Sequence, residues 1–278
     1  MYDAKPGQSR PIVIAARRGE LSYLLINHLA ERYDVEHVVF EASRPTRLLR
    51  YRLQRLGPAT VAGQLLMHVW DRAVVRTRSQ AHNRDLLRGY DIRRPDGRLP
   101  TTDVRSVNGP AFADLIEEIR PWVVVVSGTG IIAPRVLSLG PIFLNIHCGI
   151  TPDYRGVHGG FWAIAAGRPD LVGTTVHVID PGVDTGPIVA QRIVDVDPWC
   201  DTMRTLTTKQ YLAGLEPMAV AVADALAGRL RTKPDAPHPG RQWFSPTLTD
   251  HRRFRKCLTA MRTDGGGRPV WRDPEPRR

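Results

Sequence analysis

Residues Ile142 to Gly156 read IFLNIHCGITPDYRG, and the order of residue types in this stretch decides the fold. Ile142, Phe143 and Leu144 form the apolar run of a buried strand. Asn145 and His147 follow two residues apart, so in a strand both side chains leave the same face. Gly149, Pro152 and Gly156 then break the chain into a loop. In an open parallel sheet, ligands bind beyond the carboxyl ends of the strands. An Asn and a His presented there can hydrogen-bond a carbonyl oxygen and move a proton.

Working outward, Gly173 to Ile179 (GTTVHVI) predicts a second strand. It runs into Asp180-Pro181-Gly182-Val183-Asp184-Thr185-Gly186, with a further strand starting near Pro187. The two glycines let that loop turn tightly. Asp184 is placed to face His147 across a cleft, where a carboxylate favours the imidazolium and fixes the ring. On the other side, Trp122 to Val126 (WVVVV) predicts a fully buried strand that ends in Ser127-Gly128-Thr129-Gly130-Ile131-Ile132.

These residues resemble the 10-formyltetrahydrofolate-dependent formyltransferases. That family includes glycinamide ribonucleotide, methionyl-tRNA and sugar N-formyltransferases. The likeness lies in Asn145-Ile146-His147, Pro152 and Gly156, the strand Gly173 to Val176, and Asp184-Thr185-Gly186, over roughly residues 120 to 195. It implies a doubly wound, Rossmann-like α/β fold and Asn145, His147 and Asp184 as catalytic residues. It also implies 10-formyltetrahydrofolate as formyl donor, without a metal. The pterin is then expected on the backbone of Gly128, Thr129, Gly130, Ile131 and Ile132 and of Asp180, Gly182 and Val183. Arg17, Arg18, Tyr154 and His158 are candidates for acceptor contacts. The acceptor itself stays open between a nucleotide-linked amino sugar, a ribonucleotide and tRNA, and so does a folate-binding protein that does not turn over.

Other readings of the same residues are bland. His158 can simply start a helix, Asp180 can be a turn residue beside Pro181, and His177 can be a packed histidine in its strand. Cys148 adjoins His147, but adjacent strand residues face opposite ways, which argues against a Cys-His nucleophile. Cys148, His147 and His158 lack the spacing of a zinc site.

From the start, Pro11 to Ala16 (PIVIAA) predicts a strand, a turn at Arg17-Arg18-Gly19, and a helix from Glu20 to about Arg32, the opening of a doubly wound sheet. Only Gly19 is available to approach a phosphate there. A second strand follows at Val35 to Phe40.

Residues 44 to 98 then interrupt the alternation with 13 Arg against 4 Asp, a net charge of +9 within a chain total of +11. Leu48, Leu49, Leu53 and Leu56 recur at helical spacing, and so do Val61, Leu65, Leu66, Val69 and Ala73, with Met67 and Trp70 in the same stripe. An inserted helical hairpin is predicted. It can serve as an acceptor lid or, through residues 44–78, as a peripheral membrane-surface contact. The expectation taken forward is that its stripe packs on the domain or on a second subunit in a homodimer. Such basic segments attract phosphates, nucleic acid or anionic membrane, or are solvated surface.

Thr102 to Val107 predicts a short strand and Pro110 to Arg120 a helix. Asp201 is placed to cap a long helix reaching about Gly228, with Pro217 as a kink or break. Residues 1–200 are expected to form the catalytic domain and 201–262 a helical extension. Residues 263–278 read as a mobile tail. Little β pattern is present for the barrel domain of the tRNA-specific family member. The three cysteines, the absence of a long apolar run and an N-terminus without a signal core predict a cytoplasmic protein.

Overall fold

The structure, a computed structural model, describes residues 10–42, 45–95, 97–234 and 238–263, and the backbone alone for 45–48. The segment taken as a mobile tail lies outside the described residues from 264 onward.

A seven-stranded sheet carries the molecule. β1 (Ile12–Ala16), β2 (Val35–Glu41), β3 (Thr101–Val104), β4 (Val123–Ser127) and β5 (Ile142–His147) are mutually parallel. β7 (Gly173–Val178) and β8 (Ile188–Ile193) complete the edge, each antiparallel to its neighbour, in the order β3-β2-β1-β4-β5-β7-β8. β1 and β4 are buried at every position because helices cover both faces.

On one face lie α1 (Glu20–Ala30) and α8 (Met203–Leu226), with Leu25, Leu29, Tyr211, Leu215 and Met218 packed against Ile14 and Val125. On the other lie α5 (Pro110–Ile119) and α6 (Pro134–Leu137), whose Phe112, Ile116 and Val136 cover Val13, Val39 and Val124.

The long helix expected after Asp201 is α8. Its first turn is closed by a reciprocal capping box between Thr202 and Thr205. Asp201 instead accepts from the Thr205 hydroxyl and pairs with Lys209 at 2.8 Å. Pro217 does not divide the helix. It is buried beside the fully packed Met218 and Leu215, and that packing outweighs the lost backbone hydrogen bond. Trp122 donates to the Ala225 carbonyl at 2.8 Å and Tyr33 to that of Ala219 at 2.6 Å, which ties α8 to the sheet.

The insertion is a two-armed hairpin. α2 (Pro45–Leu56) forms one arm. The other is a near-continuous rod of α3 (Pro58–Trp70), one π-helical turn (Asp71–Val75) and α4 (Arg76–Leu86). Its buried seam is Val61, Gln64, Met67, Asp71, Val75 and Ser79.

This differs from the predicted stripe. Of that stripe Val61 and Met67 turn inward, while Leu65, Leu66, Val69 and Trp70 are exposed. The reason is a set of polar hooks from distant segments. Gln64 donates to the Ser245 carbonyl at 2.7 Å, Asp71 holds Arg204, and the Ser79 hydroxyl meets that of Thr202 at 2.7 Å. These fix the rod's rotation against α8 and α9 (Leu248–Thr263).

Met67 and Val75 join Tyr154, Phe161, Leu206, Phe254 and Leu258 in a second apolar cluster built on α7 (Gly159–Ala165) and α9. A two-residue parallel pairing links β6 (Arg155–Gly156) to β9 (Gln242–Trp243).

Candidate active site

Asn145 and His147 stand on one face at the carboxyl end of β5. β7 runs antiparallel beside them with His177 directly opposite Asn145, and directly opposed residues share a face. Asn145 Nδ2 lies 3.0 Å from His177 Nε2. His177 Nδ1 lies 2.9 Å from the Val178 carbonyl, so Nδ1 carries a proton and donates to it, while Nε2 is turned toward Asn145 and Asp184.

The loop after β7 returns along this face and brings Asp184 to the group, with its backbone in the left-handed region at φ 49°. Asp184 Oδ1 accepts from Asn145 Nδ2 at 3.4 Å and lies 3.5 Å from His177 Nε2. Its Oδ2 lies 3.4 Å from His147 Nδ1 and accepts the Gly156 N–H at 2.8 Å. Burial alone would push this carboxyl up. The attraction of His147, the hydrogen bond from His177 and that from the Gly156 N–H outweigh it and hold its pKa at about 2.

His147 is 6% exposed, and its second nitrogen, Nε2, donates to the Tyr154 carbonyl at 2.8 Å. Both ring nitrogens therefore face oxygens, and a ring protonated at both donates to both. Gly149 makes this possible, because a Cβ there would collide with the Tyr154 carbonyl and the imidazole. Gly156 has φ +97°, and a Cβ on it would strike the Trp243 backbone.

Cys148 points away, toward the Thr207 carbonyl, and burial pushes its thiol up to about 12. Among the described residues no group of three or more His, Cys, Asp and Glu could hold a metal ion.

The loop Gly128 to Ile132 is held from below by Glu41, a residue not singled out in the sequence. The buried Glu41 carboxylate accepts from the Gly130 N–H at 2.6 Å and the Val107 N–H at 3.1 Å, with Arg17 Nη2 at 3.7 Å. Asn108 adds a hydrogen bond to the Ile131 carbonyl at 2.7 Å. Thr129 donates to the Gly130 carbonyl, Ile132 is buried, and Ile131 is exposed. Behind the loop, the hydroxyls of Ser22, Ser127 and Tyr211 form a buried chain.

In the loop after β7, Asp180 accepts from the Gly182 N–H at 3.1 Å and the Thr185 hydroxyl at 2.7 Å, so its carboxylate organises the turn itself. The Val183 carbonyl accepts from Arg155 Nη1 at 3.2 Å.

The remaining candidates are spread more widely. Arg18 makes a bidentate pair with Asp103 at 2.9 and 3.1 Å and stacks over Phe40. The Tyr154 ring is buried and stacked on Trp243, so only its carbonyl serves the polar group. His158 caps α7 in the left-handed region. Burial, helped by the positive charges of Arg52 and Arg204 and opposed by Asp71, pulls its pKa down to about 4.

His177 entered the group without a signal in its own strand, because its partner is set by an antiparallel register that local pattern does not reveal. Arg155 was also missed, although it sits immediately before Gly156.

The family model described as formyl transferase matches residues 64–221, more than half of the chain. The chain belongs to the formyl transferase family. Among curated relatives, the methionyl-tRNA formyltransferase of Chloroflexus aurantiacus is 33% identical over 178 residues, which is 63% of this chain and 52% of that protein. That of Roseiflexus castenholzii is 34% identical over 169 residues, or 60% and 49%. The matched region thus spans about half the length of these relatives.

Among solved structures, a sugar N-formyltransferase from a Shewanella species aligns with TM-score 0.54 at 16% identity, covering 89% of this chain and 87% of that one. Glycinamide ribonucleotide transformylase 1 from Symbiobacterium toebii aligns with TM-score 0.53 at 19% identity, covering 85% and 93%. The formyltransferase fold thus extends over most of the chain.

Proposed function

We propose that this chain transfers the formyl group of 10-formyltetrahydrofolate to the amine of a small phosphorylated acceptor, of the class of a nucleotide-linked amino sugar. The observation that carries the reading is the convergence of Asn145, His147 and Asp184, from one strand end and one loop, into a mutually hydrogen-bonded group.

The folate supplies an activated one-carbon unit, and the protein supplies position and charge. Its pterin would lie along Gly128 to Ile132 and Asp180 to Val183. Gly128, Ile131 and Gly182 are exposed there, and both loops are stiffened from behind by Glu41 and Asp180.

As the acceptor amine attacks, the formyl oxygen gains negative charge. Asn145 Nδ2 donates to it by giving up the long 3.4 Å contact with Asp184. His147, held between Asp184 and the Tyr154 carbonyl, keeps its ring fixed beside the reacting atoms. Asp184, ionised at neutral pH, takes the amine proton directly or through a water. As the formyl carbon's bond to the folate nitrogen breaks, that proton passes by the same route to the leaving nitrogen.

Two cations suit an acceptor phosphate. Arg155 has no ion-pair partner among the described residues, and its buried Nε has no hydrogen-bond partner. Arg17 is 42% exposed on its side chain, with Glu41 at 3.7 Å. A planar guanidinium meets phosphate oxygens in pairs. Arg18, tied to Asp103, becomes a support for this turn.

We further propose that residues 10–263 act as one catalytic unit in the cytoplasm. Three unpaired cysteines support the reduced compartment. α8 supports the single unit, because it packs in the same apolar cluster as β1 and β4.

The test is release of formyl from 10-formyltetrahydrofolate with a panel of amines. The panel holds nucleotide-linked amino sugars, glycinamide ribonucleotide and methionyl-tRNA. Turnover with the sugars, weakened by Arg155→Gln through KM, is the expected result. Turnover with only one of the other acceptors reassigns the substrate. Folate binding without turnover on any amine overturns the enzymatic reading.

A further inference from the structure

The outer side of α3 presents Leu65, Leu66, Val69 and Trp70 at 53%, 59%, 65% and 42% exposure. Spacings of one, three and four residues place them on one stripe of the helix. Leu49, Tyr51 and Leu53 of α2 are also exposed. Beside Trp70 a cavity of about 290 Å³ opens between the rod and α9, with Val74 and Phe254 in its wall and Arg78, Arg252 and Arg255 around it. Arg72 and Arg76 follow one and two turns after Val69, both exposed.

The charge on this side is strongly positive. Residues 45–86 and 248–263 hold twelve Arg and one Lys against three carboxylates, Asp71, Asp85 and Asp250. Each is engaged, as is Asp201 in the cavity wall, which pairs with Lys209 at 2.8 Å, while Asp85 pairs with Arg88 at 2.6 Å. Asp71 pairs with Arg204, and Asp250 accepts from the Thr247 N–H and hydroxyl.

That composition selects the occupant. A second copy related by a two-fold axis would set arginine against arginine, with no free carboxylate to answer it. An RNA would meet the arginines, but Leu65, Leu66 and Val69 offer its phosphates nothing. A lipid surface with anionic headgroups satisfies both parts. Leucine, valine and tryptophan enter the headgroup boundary, and arginines remain at the phosphate level. No described helix is long and apolar enough to cross a membrane, so the contact is one that lies on the surface.

We propose that the insertion is a membrane-surface anchor, with α3 as the inserting helix and the arginines of the rod and of α9 as its anionic-lipid contacts. This inference does not rest on the formyl-transfer reading.

The experiment is co-sedimentation of the full chain with vesicles of phosphatidylcholine, with and without phosphatidylglycerol. Binding is expected only with the anionic lipid, and it weakens as salt rises. The double change Leu66→Ser with Val69→Ser lowers vesicle affinity by about tenfold or more, because two apolar side chains no longer enter the lipid. Arg72→Glu with Arg76→Glu does so too and flattens the salt dependence. Both double variants keep the parent's melting temperature.

Three results overturn the proposal. One is absence of binding to the anionic vesicles, or binding that neither double variant changes. Another is a parent dimer that Leu66→Ser with Val69→Ser makes monomeric, which assigns the face to a second copy. The last is tRNA binding that the arginine reversals abolish while vesicles stay unbound.

Discussion

The polar group on β5 and β7 and the outer side of α3 are built on opposite terms. On the sheet, Asn145, His147, His177 and Asp184 are enclosed, and each touches at least two others or a backbone group. On α3, large apolar side chains stand in solvent. A saturated polar cluster costs dearly to disturb because every member loses its partners at once. An uncovered apolar stripe can be altered with little effect on the folded chain. The comparison therefore separates residues whose change is felt inside the molecule from residues whose change is felt only by something that docks on it.

The sharpest way to break the comparison is in the polar group. Asn145→Ala, His147→Ala and Asp184→Ala are each expected to fold and to lose about a hundred- to a thousand-fold in kcat. Near-normal turnover in the first two, with folding verified by circular dichroism, would remove the group from the chemistry.

Next is a contrast within one helix. Met67 is 2% exposed and Leu66 is its neighbour at 59%. Met67→Ala is expected to cost about 3 kcal/mol in chemical denaturation.

Acid titration probes Asp184 itself. Its carboxyl is held at about 2, below the unfolded value of about 3.9. The stabilisation is thus present above that unfolded value and is lost as pH falls through about 4 toward 2. It amounts to about 2 kcal/mol. Asp184→Asn should lack this acid-dependent component. An unchanged acid profile would mean that the carboxylate is not held by its histidine neighbours.

His177→Gln is expected to reduce kcat by about tenfold with KM little changed, since it orients Asn145 rather than meeting substrate. A drop as deep as that of Asn145→Ala would promote it to direct contact.

At the small end, Leu66→Ser should shift stability by no more than about 0.5 kcal/mol. A larger loss would show that the α3 stripe is covered within the chain.

The same division explains what could be read from the residues alone. The strands β4 and β5 were legible because an apolar run followed by glycines is a local pattern, and Asn145 and His147 were legible because they are two apart in such a strand. Asp184 was legible because a tight loop with two glycines brackets it. The inward side of the insertion was not. Leu65, Leu66 and Val69 have the stronger apolar periodicity, yet Gln64, Asp71 and Ser79 are turned inward by partners more than a hundred residues away in sequence. Glu41 and His177 were missed for the same reason. Each acts through a neighbour that only the sheet order brings beside it, Gly130 for the one and Asn145 for the other.

Gly156 ties the last described strand to the first chemistry. Its N–H holds Asp184, while its flanking residues are hydrogen-bonded to the carbonyls of Arg241 and Trp243. Synthesis runs from the N-terminus, and domains fold as they emerge. A growing chain therefore has its whole sheet, and even α8, before it has the strand that steadies Gly156. The backbone that holds Asp184 is therefore completed only when Trp243 has left the ribosome, and under the proposed function that makes the site one of the last parts of the chain to be finished.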